Sequence, residues 1–330
     1  MAEDVDDPRE VAWHPRLAQR LVGHRAAVAA FREAMDSGRP HHAWLLCGPK
    51  GVGKATFAYA MARDILGHRN SEQSDRWIAA RAHPGLFVLE RGFTESKPKR
   101  LRQEISVDDA RKLTDFFSRT ASDDGWRVAL VDCADDLSNE AANALLKLVE
   151  EPPPKCLILL VCNRPGVVLR TLRSRCRRVP FERLPDAEVR EVLAGLPLEK
   201  PLPSDEIERL LPLCQGAPGA ALDLAESNGA KAFEAFKALP RISTEGKTAI
   251  SKLFAQRQQA VEDYPVFAGL LLDWLAREAA ADAGSDRGAA LAEAHAAVAA
   301  HVRTVEGYNL DRRVAVMQAL STIEDALKAA

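Results

Sequence analysis

Residues 48 to 56 read GPKGVGKAT, a glycine-rich run ending in lysine that fits the phosphate-binding spacing G-x-x-x-x-G-K. Gly48, Gly51 and Gly53 let the backbone curl so that successive amides after Pro49, those of Lys50 and Val52 among them, can point at phosphate oxygens, and Lys54 can neutralise the outer phosphates. The pattern asks next for Ser or Thr, whose hydroxyl ligates Mg²⁺. That position is Ala55, and Thr56 comes one residue late, turned by roughly 100° on a helix of about 3.6 residues per turn. About 80 residues on, Val128 to Val131 make an apolar strand ending in Asp132, placed to hold Mg²⁺ through water. Cys133 stands where a carboxylate base would polarise an attacking water, and a thiol is a poor substitute. Phosphate binding is written into these residues; hydrolysis is not.

The elements that must position such a loop are legible around it. His42 to Cys47 is a short apolar run suited to a buried strand, and KATFAYAMARDIL follows with Phe57, Met61 and Ile65 at helical spacing, so strand, glycine loop and helix come in the order the chemistry needs. Leu86 to Glu90 reads as a strand. Ser106 to Thr120 reads as a helix with a capping box from Ser106 to Asp109 and an inward face of Val107, Ala110, Leu113 and Phe117. RVALVD is a buried strand. Ser138 caps the helix NEAANALLKLVEE, which Pro152 to Pro154 stop, and Cys156 to Cys162 is another buried strand with Asn163 at its tip. Residues 163 to 185 give a short helix and a last strand, densely basic. This alternation predicts an α/β fold with a parallel sheet. From Asp186 onward the pattern is helical, with breaks near 184–186 and 239–247.

Composition bounds the function. The 330 residues carry 45 basic and 47 acidic side chains, a net charge of −2, so no global field recruits nucleic acid or membrane. The acidic start, MAEDVDDPREVAWHP, differs from a signal peptide, and no apolar run approaches the roughly 20 residues of a membrane span; a cytoplasmic protein is expected. The six cysteines, Cys47, Cys133, Cys156, Cys162, Cys176 and Cys214, lie mostly in apolar runs without CxxC pairs, which argues for reduced thiols and against a disulfide framework or zinc site.

The order LVGH (21 to 24), HHAWLLCGPKGVGKAT (41 to 56), ISVDDARKL (105 to 113), NALLKLVEEPP (143 to 153) and SRC (174 to 176) resembles the clamp-loader subunits of the AAA+ superfamily over most of residues 20 to 225. Within them it is most similar to the delta-prime type of bacterial DNA polymerase III, since motor subunits keep the hydroxyl and the acidic base that Ala55 and Cys133 replace; YNLDRR near the C-terminus is reminiscent of the same type. The resemblance implies an acidic N-terminal segment (1–20), a AAA+ P-loop domain (21–185), a helical lid (186–240) and an all-α collar (241–330) that joins a hetero-oligomeric ring. Its implied partners are the ATPase motor subunits, the delta subunit and, through the complex, the sliding clamp and primed DNA. Arg175, in the SRC motif, would reach into a neighbouring motor subunit's ATP site as an arginine finger, a role worth about 10³ to 10⁵ in rate in related phosphoryl transfer. Asn163 matches the position that senses the γ-phosphate. ATP is expected to be bound, if at all, without efficient hydrolysis and with weak Mg²⁺ or none; the lid stretch QGAPGAALDLAE (215 to 226) has Gly219 and Ala220 and no arginine for a nucleotide, and the absence of Cys between the two nucleotide motifs excludes the zinc module many such subunits carry. Two rivals remain at this level: an active P-loop ATPase in which Thr56 and Asp135 or Asp136 take the missing roles, against which the spacing argues, and a DNA-binding adaptor using the strip Arg170, Arg173, Arg175, Arg177 and Arg178.

Overall fold

The apolar runs that read as strands pair into one five-stranded sheet in the order β2-β3-β4-β1-β5, seen in a computed structural model that describes residues 11–67, 71–94, 101–118, 125–198 and 200–329. The acidic segment expected over residues 1–20 falls outside the described residues for its first ten positions. In chain order the elements begin with α1 (Arg25–Asp36), β1 (Ala43–Cys47), α2 (Lys54–Leu66), α3 (Ser71–Ala79), β2 (Leu86–Glu90), α4 (Val107–Ser118), β3 (Arg127–Asp132) and α5 (Asn139–Glu150). They continue with β4 (Cys156–Cys162), α6 (Arg170–Ser174), β5 (Arg177–Pro180), α7 (Asp186–Ala194) and α8 (Ser204–Cys214).

All sheet pairings are parallel, as the alternation of strands and helices predicts. β1 and β4 are buried on both faces, which explains their unbroken apolar composition. Alternation divides their side chains: Trp44 and Leu46 join a cluster with Phe31, Phe57, Met61 and Leu159, while Leu45, Ile158 and Leu160 join Leu113, Leu145 and Leu172 on the opposite face. The expected capping box opens α4, with the Asp109 amide donating to Ser106 Oγ at 3.4 Å and the Ser106 hydroxyl donating to the Asp109 carboxylate at 2.7 Å. Ala110, Leu113 and Phe117 are buried as expected; Val107 is half-buried. Ser138 caps α5 by accepting from the Ala141 amide at 3.1 Å. Because β1 lies between β4 and β5, and β3 beside β4, the loops after β1, β3 and β4 emerge side by side at one edge of the sheet.

The chain divides into two compact units, one running to Leu211 and including Gln215–Ala220, the other made of Pro212–Cys214 and Ala221–Ala330. The second unit is helical: the remainder of α9 (Pro218–Glu226), α10 (Asn228–Lys237), α11 (Thr244–Lys252), α12 (Arg257–Ala281), α13 (Asp286–Gly307) and α14 (Arg312–Ala329). Ser227, Ser243 and Ser285 cap α10, α11 and α13 by accepting amide hydrogens from Gly229, Gly246 and Gly288. Phe236 packs edge-on against Trp274 at 5.0 Å. The buried Asp263 carboxylate takes three donors, from Ser227 Oγ and from the amide and side chain of Asn228. No helix among the described residues is long and apolar enough to cross a membrane.

Candidate nucleotide site

Gly48 to Gly53 leave the end of β1 and feed α2, whose first residue is Lys54. Gly53 caps that helix at φ 109° and Gly51 turns the loop at φ 82°, values that favour glycine. Val52 is fully buried and anchors the loop on the core. The His24 ring sits 2.7 Å from the Val52 carbonyl oxygen and packs on Phe181, holding the loop from outside. Pro49 and Lys50 complete the loop, and the start of α2 presents its amides as an anion site.

The loop is folded onto its own chain. Lys54 is 3% exposed, and its ammonium donates to the carbonyl oxygens of Gly48, at 2.7 Å, and Pro49. Burial lowers its pKa, countered in part by Cys133 and Asp135 nearby. The Gly219 amide, at the start of α9, donates to the Gly51 carbonyl oxygen at 2.9 Å. A Cβ on Gly219 would stand 2.9 Å from Gly51 Cα, so the absence of an arginine in this lid stretch has a steric counterpart: no side chain fits here without displacing the loop.

At the neighbouring strand tips, Asp132 ends β3 and Cys133 follows, buried and packed into the core beside Val131's strand. Burial first, then the hydrogen bond to Asp135, push the Cys133 thiol up to about 12, so it is neutral and neither base nor nucleophile. Asp135, named from the sequence only as a rival base, has a role the sequence did not show. Its carboxylate accepts from the Cys133 thiol at 2.8 Å, the Cys162 thiol at 3.3 Å, the Asn163 amide at 2.7 Å and the Arg164 amide at 2.9 Å. Burial alone would raise this carboxyl; the Cys133 thiol and the two amides outweigh it and hold it below its ordinary range. Spacing argues against Asp135 reaching the tip beside Asp132, yet the turn Ala134–Asp136 swings it onto the end of β4. Asn163, the expected sensor, donates its side-chain N–H to Cys133 Sγ at 3.2 Å. The only sequence signal for this network was the repeated acid in CADD.

The residues present therefore fit a phosphate once Lys54 releases the loop carbonyls. They fit Mg²⁺ poorly: Ala55 has no ligand to offer, Thr56 follows it round the helix, and Asp135 is fully engaged by its own chain.

Arg175 lies at the C-terminal end of α6, remote in role from this loop. Its guanidinium pairs with Glu150 of α5 at 2.8 Å and donates to the Thr171 carbonyl oxygen at 3.1 Å, with side-chain exposures of 41% for Arg175 and 47% for Glu150. The other arginines of the strip do not share one face. Arg173 donates to the Pro165 carbonyl oxygen, Arg177 lies over the Trp44 ring at 4.5 Å, and Arg170 and Arg178 are exposed.

Residues 23–185, the span holding this loop, both strand tips and Arg175, match the family described as DNA polymerase III, delta subunit. Over this span the chain is similar to DNA polymerase III clamp-loader subunits, those named delta' among them. A DNA polymerase III subunit delta' of Pseudomonas aeruginosa is 36% identical over 185 residues, 54% of this chain and 53% of that protein. The Escherichia coli subunit delta' is 31% identical over 229 residues, 67% of this chain and 64% of that one. A subunit gamma/tau of Mycobacterium tuberculosis is 31% identical over 191 residues, 56% of this chain and 32% of that protein. The chain thus spans about half the length of the first of these relatives.

Proposed function

We propose that the chain is a low-turnover ring subunit of a DNA polymerase III clamp loader, helping to place the sliding clamp on primed DNA while lending Arg175 to an adjacent motor subunit. The observation that carries this reading is the phosphate loop engaged by its own backbone: Lys54 on Gly48 and Pro49, Gly219 on Gly51. Ala55 and Cys133 support it, since each lacks the group that positions metal or activates water. Against an autonomous ATPase, Asp135 has its lone pairs committed to two amides and two thiols, and Asp136 pairs with Arg91 at 3.2 Å. Against a DNA adaptor, the arginines of residues 170–178 are spread over several surroundings, with Arg177 and Arg178 on alternate faces of an edge strand.

Arg175 suits the finger role physically. Its partner Glu150 is as exposed as it is, and such surface pairs are worth only about 0–1 kcal/mol, so transfer of the guanidinium to a neighbour's phosphate costs little. The planar fork donates to several oxygens and stays charged. The test is steady-state ATP hydrolysis by the reconstituted loader with saturating clamp and primed template. Arg175→Ala should leave this chain folded and assembled but lower hydrolysis at the adjacent site by at least about tenfold, toward the roughly 10³ that fingers supply elsewhere. Arg175→Lys should recover little. Unchanged turnover with Arg175→Ala removes the finger and leaves Arg175 a surface ion pair.

A further inference from the structure

Cys47 ends β1 and Cys162 ends β4, and the two are register partners on adjacent parallel strands. Partners in neighbouring strands project to the same face, and both side chains pack on the cluster that contains Leu45 and Leu160. Their Cα atoms are therefore about 4.8 Å apart, inside the roughly 4.4–6.8 Å that a disulfide spans. The Cys47 thiol donates to the Leu45 carbonyl oxygen at 3.6 Å and the Cys162 thiol to the Asp135 carboxylate at 3.3 Å, so neither sulfur is locked away from the other. Cys162 is fully buried, whereas Cys47, at the mouth of the glycine loop, is half-buried and open to a small solute.

We propose that Cys47 and Cys162 form a reversible, peroxide-driven disulfide at the root of the phosphate loop, a modification site set into the sheet itself.

The chemistry divides between the two sulfurs. The neighbouring Cys162 sulfur first, then the Arg178 and Lys54 charges, hold the Cys47 thiol below its ordinary range against burial, so Cys47, the more exposed of the two, is the sulfur that attacks. The contact to Cys47 and burial raise Cys162, which keeps its proton until it resolves the intermediate. Cys47 thiolate attacks one oxygen of a hydroperoxide; the O–O bond breaks, the leaving oxygen takes the electron pair, and Cys47 becomes a sulfenic acid. Cys162 sulfur then attacks Cys47 sulfur, the S–O bond breaks, and its proton passes by way of the Asp135 carboxylate, 3.3 Å away, to the departing hydroxide. Two thiols and one hydroperoxide give one disulfide, one alcohol or water, and one water. The sulfurs must close on each other from strand spacing, so the bond is one that a dithiol reduces readily. Once formed, it takes the Cys162 donor away from Asp135, the carboxylate that holds the Asn163 and Arg164 amides at the tip of β4.

The experiment uses the full chain treated with a modest excess of hydrogen peroxide and digested without reductant for mass spectrometry. The expected product is a Cys47–Cys162 crosslinked peptide two hydrogens lighter than the pair, with two of the six free thiols lost and both restored by dithiothreitol. In Cys162→Ser, whose hydroxyl still serves Asp135, the same treatment should leave Cys47 as a sulfenic acid trapped by dimedone; in Cys47→Ser, Cys162 should stay reduced. Crosslinking of Cys47 to Cys176, the next thiol on that face, overoxidation of Cys47 without any crosslink, or no reaction at Cys47 each overturns the proposal.

Discussion

At Asp135 four donors converge on one carboxylate, two thiols from below and two amides from the tip of β4, and this side chain rather than a catalytic one organises the strand ends. Deleting it would leave buried donors without acceptors, each costing about 1–3 kcal/mol with incomplete additivity. Asp135→Ala should therefore destabilise the folded chain by about 2–4 kcal/mol, read as a lower midpoint in urea unfolding at neutral pH. The pH dependence has a definite sign. The carboxyl is held below its ordinary value in the folded chain, so its contribution is fully present above the unfolded value of about 3.9 and fades as pH falls through the lower, folded value. Asp135→Asn, which does not titrate, should flatten that acid limb. A midpoint insensitive to Asp135→Ala would show that the network contributes nothing, and would return Asp135 to the reading in which it is a free base.

The start of α9 against the glycine loop is where element and chemistry meet. Helix propensity favours Ala over Gly by about 1 kcal/mol, but at position 219 a Cβ would press on Gly51 Cα and oxygen at 2.9 and 3.0 Å, both backbone atoms that cannot swing away. The clash should win: Gly219→Ala is expected to lower stability by about 1–3 kcal/mol, the usual range for overpacking, and a rise in melting temperature instead would mean the lid start stands clear of the loop. That contact was invisible in the sequence, where Gly219 registered only as a missing arginine. Strands were the legible part, because β1, β3 and β4 are buried on both faces and cannot be anything but apolar. So were α2, α4 and α5, whose faces or caps are explicit in Phe57, Ser106 and Ser138. The helices α1 and α3 went unread, α3 because its nine residues bury only Ser74 and Ile78. Asp135 was read only as a rival base, and its place at the tip of β4 was missed because its reach depends on a one-turn connection, Ala134–Asp136, whose direction no periodicity reports.

At the scale of the whole molecule the question is which surface a ring would use. The helical unit closes its own core through Phe254, Tyr264, Phe267, Val298 and Leu320, and Lys247 of α11 reaches Glu324 and Ser321 of α14 in a largely buried pair that ties its ends together. Its two most exposed large apolar side chains lie at the turn from α13 into α14, where Tyr308 is 78% and Val314 62% exposed, with Leu310 between them. Scattered exposed apolar residues need no explanation, but three within seven positions of one turn make a compact patch of the kind that partner surfaces cover. If the unit from Ala221 onward serves as the collar, this turn should carry part of its affinity. Tyr308→Ser combined with Val314→Asp touches no buried side chain, so the melting temperature of the isolated chain should shift little. Co-purification with the motor subunits should fall by at least about tenfold, the effect of losing roughly 1.4 kcal/mol at an interface, with aromatic anchors often worth more. The check is a paired measurement, thermal unfolding of the variant alone and its yield in the reconstituted complex. Full yield in the complex would move the assembly surface elsewhere in the helical unit, while a collapsed melting temperature would show that these side chains belong to its fold.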